Sequence, residues 1–254
     1  MKIKIQGLTT HYKQIGKGSP IVILHGWGGS LNSWEKVMEI LSKKHMVVCL
    51  DLPGFGKSDD PKEPWDINNY ISFILDFLKA LKIDEFVLLG HSFGGGLGTK
   101  ITAKNPRIVK KLILCDAAVV RAKKRLTLRQ KVVKTFAKIF KPLNKNRFIQ
   151  SKVTPFAYKL AGTSDYFSAN DIMKETFKKI SKEDLRAFTT YIKKPTLIIW
   201  GSEDKITPLE DAYTLKNMID HAKLIIIEKT KHSPHLKKPE EVSQAILEFI
   251  KKEL

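Results

Sequence analysis

Cysteine is scarce. The 254-residue chain has two, Cys49 and Cys115, and each sits inside an apolar run, VVCLDL and LILCDA. That placement offers neither a disulfide framework nor the clustered thiols of a zinc site. Both are read as buried thiols in a reducing compartment. Long hydrophobic runs are missing as well. No stretch approaches the ~20 apolar residues that cross a bilayer. Met1–Thr10 alternates Lys and Ile and lacks the apolar centre of a signal peptide. A cytoplasmic location is therefore expected, and the terminal KKEL is read as a helix end. Acids are also in deficit: 26 Asp and Glu stand against 45 Lys and Arg, a net charge of +19. Such a charge suits a nucleic acid, an anionic membrane or an acidic partner, so where it sits matters more than its size.

What is present is an ordinary globular core, with 43% hydrophobic residues and enough length for one large domain. Six short runs are almost continuously apolar: Ile21–Leu24, Met46–Leu50, Phe86–Leu89, Leu112–Cys115, Thr196–Trp200 and Leu224–Ile227. Continuous rather than alternating hydrophobicity marks parallel strands buried on both faces. Lys2–Ile5 and Tyr12–Gln14 would add an antiparallel edge. Helical patterns lie between the strands, at Leu31–Leu41, Asn68–Leu81, Phe93–Lys104, Asp211–Ile219 and Glu240–Lys252. This alternation predicts a doubly wound, mostly parallel α/β sheet. The rhythm breaks once. From about residue 119 to 193 there is no strand signal, only helical segments punctuated by Pro142, Pro155 and Gly162. That is too long for a loop. The expected domains are a core of 1–118 and 194–254, with a helical insertion at 119–193 over the carboxyl edge of the sheet.

Chemistry-bearing residues follow the strand ends. Gly90-His91-Ser92-Phe93-Gly94 is a G-x-S-x-G turn between a strand and a helix. Such a turn projects a serine hydroxyl from a tightly folded backbone, at the positive end of the following helix. Ser92 is the candidate nucleophile. His25-Gly26-Trp27-Gly28-Gly29 ends the first parallel strand, beside that turn. A tetrahedral intermediate needs fixed N–H donors, and the backbone N–H groups of Trp27 and Phe93 are the candidates for an oxyanion hole. His25 is expected to brace backbone. Asp204, in GSEDK after TLIIW, is the candidate acid; Glu203 is its neighbour and Asp116, after LILC, its rival. His232, in KHSPH after LIII, is the candidate base. His235 is expected to pack or cap the next segment. The order Ser, acid, His, each directly after a strand, makes the set more telling than any member.

On these residues the chain resembles the α/β-hydrolase superfamily over nearly its whole length. The similarity includes HGWGG, DLPGFGKS (Asp51–Ser58), GHSFGG, GSEDKITP and KHSPHLKKPEE. The resemblance implies that the Asp51–Ser58 turn braces the oxyanion loop and that 119–193 is a cap. It also prunes the chemistry, because dehalogenases and epoxide hydrolases carry Asp where this chain has Ser92. The expected activity is hydrolysis of a carboxylic ester through an acyl-enzyme, with an apolar small-molecule ester as substrate. A carbon–carbon bond hydrolase or a carrier-linked acyl (thio)ester hydrolase would use the same triad. A non-enzymatic ligand receptor on this scaffold is the reading of another class; a complete triad argues against it. No cofactor and no metal is expected.

The positive charge is concentrated. Thirteen Lys and Arg and no acid fall between Arg121 and Lys159. Over 119–193 nineteen basic and five acidic residues carry +14 of the +19. Leu128, Val132, Val133, Phe136, Ile139, Phe140 and Leu143 recur at helical spacing there. A basic amphipathic helix would dock an anionic membrane surface or an acidic carrier protein, or simply present a solvated lysine face. Nucleic acid is disfavoured, since no binding motif occurs and few aromatics interleave the lysines.

Overall fold

The computed structural model describes residues 1–120 and 170–251. Eight strands form one sheet: β1 Lys2–Ile5, β2 Leu8–Ile15, β3 Pro20–Leu24, β4 Met46–Leu50, β5 Phe86–His91, β6 Val109–Cys115, β7 Thr196–Gly201 and β8 Lys223–Ile227. Their spatial order is β1-β2-β4-β3-β5-β6-β7-β8. The first two pairings in that order, β1 with β2 and β2 with β4, are antiparallel. Every later pairing is parallel. The expected α/β sheet with an antiparallel edge is therefore present.

The apolar runs feed two cores, one on each face. Val22, Leu24, Val48, Leu50, Leu88, Leu112, Leu114, Ile198 and Trp200 point into one cluster. Their neighbours Ile21, Ile23, Val47, Cys49, Leu89, Ile113, Cys115, Leu197 and Ile199 point into the other. This is the two-residue alternation of a strand with both faces buried, so neither face needs polar residues. The helices α1 (Glu35–Leu41) and α8 (Pro239–Lys251) cover the second face. The helices α2 (Ile67–Ala80), α3 (Phe93–Lys104) and α6 (Leu209–Met218) cover the first. Cys49 and Cys115 are both buried free thiols.

Two polar devices fix this packing. Asp66 accepts the N–H groups of Asn68 and Asn69, and the Asn69 side chain accepts from the Asp66 N–H. This reciprocal cap starts α2, and losing it would cost about 1 kcal/mol. Lys111 lies inside β6, yet its ammonium reaches the last carbonyls of α8, Phe249 and Ile250, at 3.1 and 3.0 Å. A cation there meets the negative end of the helix.

The chain leaves β3 outward to β4, then crosses back to β5. That reversal opens a crevice at the carboxyl ends of β3 and β5, where open α/β sheets bind ligands. The segment between β6 and β7 is described at its two ends. Val119 and Val120 leave β6, and residues 170–193 return through α4 (Asp171–Ile180) and α5 (Arg186–Thr189). The basic amphipathic helix expected around Leu128–Leu143 lies outside the described residues. The return is anchored to the core: Trp65 N–H donates to the Thr176 hydroxyl at 3.0 Å, and buried Lys100 of α3 pairs with Glu183. Lys100 also sits 5.0 Å from the Phe188 ring centroid. Among the described residues no helix is long and apolar enough to cross a membrane.

Candidate active site

Ser92 lies between β5 and α3 with φ 50° and ψ −114°, a conformation that non-glycine residues rarely adopt. The strain is held from three sides. Ser92 N–H donates to Cys115 O at 3.1 Å, and Ser92 O accepts from Gly96 and Ala118 at 3.1 and 2.9 Å. Close packing explains the flanking glycines. A Cβ on Gly94 would lie 2.2 Å from Leu24 O, and one on Gly26 would lie 3.1 Å from Ser92 Cβ. The turn after β3 therefore rests directly against Ser92. Phe93, the first residue of α3, has an N–H without an intrahelical acceptor. Trp27 belongs to the turn that touches Ser92, and among the described residues its N–H donates to no backbone carbonyl.

The expected serine, histidine and acid converge. His232 Nε2 is 2.9 Å from Ser92 Oγ, and His232 Nδ1 is 2.7 Å from Asp204 Oδ2. A carboxylate opposite Nδ1 fixes the proton there, which leaves Nε2 as an acceptor facing the hydroxyl. The Asp204 side chain is fully buried, whereas 16% of the His232 side chain is exposed. The acid is thus withheld from water while the base can meet a ligand.

Asp204 is held by more than the histidine. Its Oδ1 accepts from Ile206 N–H at 2.7 Å and Thr207 N–H at 3.2 Å, and its Oδ2 accepts from the Thr207 hydroxyl at 2.6 Å. Burial alone would raise its pKa, but the bonds from His232, Thr207 and Ile206 outweigh burial and leave it below the usual carboxylate value. Thr207 was not singled out from sequence. Its signal was the Asp204-x-x-Thr207 spacing of a loop in which an aspartate accepts from its own downstream residues.

The rival acid is nearby and does something else. Asp116 is buried at the end of β6 with φ 43°. Its Oδ1 accepts from Gly201 N–H at 2.9 Å, and the Cys115 thiol faces Oδ2 at 3.7 Å. Burial pushes its pKa up to about 8; the Gly201 N–H opposes that, and nearby Asp204 adds to it. Asp116, Asp204 and His232 bring ligand-type atoms within 4.8 Å of one another. The Nδ1 that would bind a cation there faces Asp204.

Other expectations resolve around this centre. His25 is buried; its Nδ1 donates to Gly26 O at 2.8 Å and its Nε2 accepts from Leu52 N–H at 3.0 Å. Both nitrogens brace backbone, as expected. Burial keeps its pKa below the ordinary value, against the opposing Gly26 bond and Asp51 charge. Asp51 ties three segments together, accepting from Leu31 N–H at 2.7 Å and Lys57 N–H at 2.9 Å and facing His11 Nδ1 of β2 at 2.9 Å. His235 packs flat on Trp34, with ring centroids 4.0 Å apart. Trp27, Phe55, Phe93 and Phe177 form an aromatic wall beside Ser92, with Trp27 4.8, 5.8 and 5.1 Å from the other three. Phe177 comes from α4, so the chain between β6 and β7 reaches the site.

A mostly parallel sheet with a strained serine turn at its reversal point, facing a histidine backed by a buried aspartate, is the architecture of a hydrolase. The signature of the alpha/beta hydrolase fold matches residues 19–239, and the chain belongs to that family of hydrolases. It is 28% identical over 259 residues to the 2-hydroxy-6-oxo-6-(2'-aminophenyl)hexa-2,4-dienoic acid hydrolase of Metapseudomonas resinovorans, covering 96% of this chain and 88% of that protein. It is 26% identical over 251 residues to the (E)-2-((N-methylformamido)methylene)succinate hydrolase of Acinetobacter baylyi, covering 94% and 92%. Its fold is similar to that of the enol-lactonase from Burkholderia xenovorans LB400, with a TM-score of 0.77, 22% identity and coverage of 99% and 100%.

Proposed function

We propose that the protein is a serine hydrolase that cleaves carboxylic esters through an acyl intermediate on Ser92. The observation that carries this reading is the continuous relay from Asp204 Oδ2 through His232 to Ser92 Oγ, at 2.7 and 2.9 Å. In the first half-reaction His232 Nε2 takes the hydroxyl proton as Oγ attacks the ester carbonyl. The oxyanion is held by the N–H groups of Trp27 and Phe93. Asp204 stabilises the imidazolium without taking its proton. The imidazolium then protonates the departing alkoxide. In the second half-reaction His232 deprotonates water, which attacks the acyl carbonyl; collapse returns the proton to Oγ and releases the acid.

The aromatic wall of Trp27, Phe55, Phe93 and Phe177 suits an apolar acyl group, and segment 119–193 would act as its cap. We place the enzyme in the cytoplasm. The basic stretch of the cap would dock an anionic membrane surface or an acidic carrier, an attraction that salt would weaken. The relatives' names favour a second reading, carbon–carbon bond cleavage of an anionic dienoic acid by the same relay. Such a substrate needs a cation for its carboxylate. Among the described arginines, Arg186 is clasped by Asp184 through Nε at 3.0 and 2.9 Å, and Arg107 lies before β6, at the opposite edge of the sheet. The ester reading rests on the relay and the aromatic wall.

Release of p-nitrophenol from acetate, butyrate, octanoate and palmitate esters tests this, with Ser92→Ala alongside. Activity that peaks at one chain length and vanishes in the variant is expected. No turnover of any ester, with Ser92 still labelled by a fluorophosphonate, would shift the assignment to carbon–carbon cleavage. No labelling would end the serine-hydrolase reading.

A further inference from the structure

The residue before the serine, His91, is not part of the relay, yet it touches two of its members, Ser92 and His232. It is joined covalently to Ser92. Its Nε2 lies 2.6 Å from the backbone carbonyl of His232, 141 residues along the chain. A carbonyl only accepts, so this nitrogen carries the proton and donates. The residue is 7% exposed and its ring packs in a column: Trp34 on His235 at 4.0 Å, His235 on His91 at 4.5 Å, His91 on His232 at 5.0 Å. Trp34 Nε1 and His235 Nδ1 find no hydrogen-bond partner among the described residues, so ring contact holds those two members. Among the described residues, the one directed bond from the column to the base-bearing loop is the one from His91. Burial, with His232 beside it, lowers the His91 pKa to about 3, so the ring stays a neutral donor wherever the enzyme would work.

We infer that His91 is a positioning residue that sets the distance between nucleophile and base, by clamping the His232 carbonyl to the strand end that carries Ser92. The inference rests on the serine-hydrolase reading of the same site. Residues 228–233 between β8 and the short helix α7 (Pro234–Lys237) form an irregular loop. Asp204 holds the imidazole, and Ser202 and Glu203 hold the loop through Lys229 N–H and Thr230 O, but these bonds tie it to the end of β7 and not to the strand end that carries Ser92. A displacement of about 1 Å from reacting geometry can cost about 100-fold in rate.

The test compares His91→Phe, which keeps an aromatic ring in the column but has no donor, with His91→Gln, whose amide nitrogen reaches the place of Nε2. Two quantities are read: the rate at which a fluorophosphonate labels Ser92, and the deshielded proton resonance of His232 Nδ1–H against Asp204. In His91→Phe the labelling rate should fall about 10- to 100-fold and the resonance should broaden or shift. In His91→Gln both should stay near wild type. If His91→Phe does not fold, His91→Asn replaces it, because its amide is one methylene too short to reach the carbonyl. Equal labelling rates in His91→Phe and wild type, or equal losses in the two variants, would overturn the clamp. Failure of the wild-type protein to label would instead sink the serine-hydrolase reading, and the His232 resonance would still decide the role of His91.

Discussion

The ends of β6 and β7 each present a buried aspartate to the same histidine, and the two are held in opposite states. Asp204, beyond β7, accepts four hydrogen bonds: from His232, from the Thr207 hydroxyl and from two backbone N–H groups. These overcome burial and keep it ionised. Asp116, at the end of β6, has one backbone donor and a distant thiol, with Asp204 as a charged neighbour. Burial then dominates and its pKa rises to about 8. The difference is one of donor count together with burial, which is the largest cause of the Asp116 shift. A carboxylate becomes the partner of an imidazolium when enough N–H and O–H groups converge on it, and two adjacent acids do not both ionise readily. Of the two, Asp204 is the one in contact with His232 Nδ1, at 2.7 Å.

Breaking the ionised member should have the largest effect. Asp204→Asn leaves the shape but offers His232 an amide that can donate to Nδ1. The ring proton then moves to Nε2, which can no longer accept from Ser92. Turnover of an activated ester should fall by about 10⁴, the loss seen when a triad acid is made an amide in another serine hydrolase. A fall smaller than tenfold would mean that Asp116 can substitute. Removing one donor is milder. Thr207→Val deletes a hydroxyl bonded to a charged group, worth about 1.5–3 kcal/mol, which is about 10- to 100-fold in rate if the bond matters fully in the transition state.

The neutral member should affect stability more than rate. The Asp116 pKa is raised in the folded protein, so the folded state holds this proton more tightly than the unfolded chain does. Its penalty is absent below about pH 4, the ordinary carboxyl range. It grows as pH rises toward about 8, where the folded group finally ionises. Asp116→Asn removes that penalty and keeps an acceptor for Gly201 N–H. Its Tm advantage over wild type should therefore widen between pH 4 and pH 8 while ester turnover changes little. A constant or shrinking advantage would show that Asp116 is ionised in the folded state. Asp211 works in the same direction over a narrower window: burial, then Glu210 and Asp204, raise it to about 6.

Much of this arrangement was legible in the sequence, for a reason that can be located. Parallel strands buried on both faces must be continuously apolar, and runs such as MVVCL coincide with β4 residue for residue. Charges blurred the boundaries elsewhere. β6 begins at Val109, three residues before LILC, because Lys111 lies inside the strand and its ammonium caps α8. β2 begins at Leu8, since LTTH pairs with β1 through an alternating, half-exposed pattern that carries no apolar run. The segment Leu31–Leu41 reads as one helix but divides into a 3-10 turn at Leu31–Trp34 and α1. Ser92, Asp204 and His232 could be found because each follows a strand, and a strand end fixes position in three dimensions. Thr207 and His91 could not be ranked in the same way. Their roles depend on contacts with residues distant in sequence or on side-chain direction within a loop, and neither leaves a periodic signal.

The most direct test of the account is where a fluorophosphonate attaches. Intact and peptide mass spectrometry of the labelled protein should show a single adduct on the peptide that carries Ser92, none in Ser92→Ala, and slowed labelling in His232→Ala. An adduct on another residue, or undiminished labelling of Ser92→Ala, would contradict the assignment of Ser92 as nucleophile and with it the relay through His232 to Asp204.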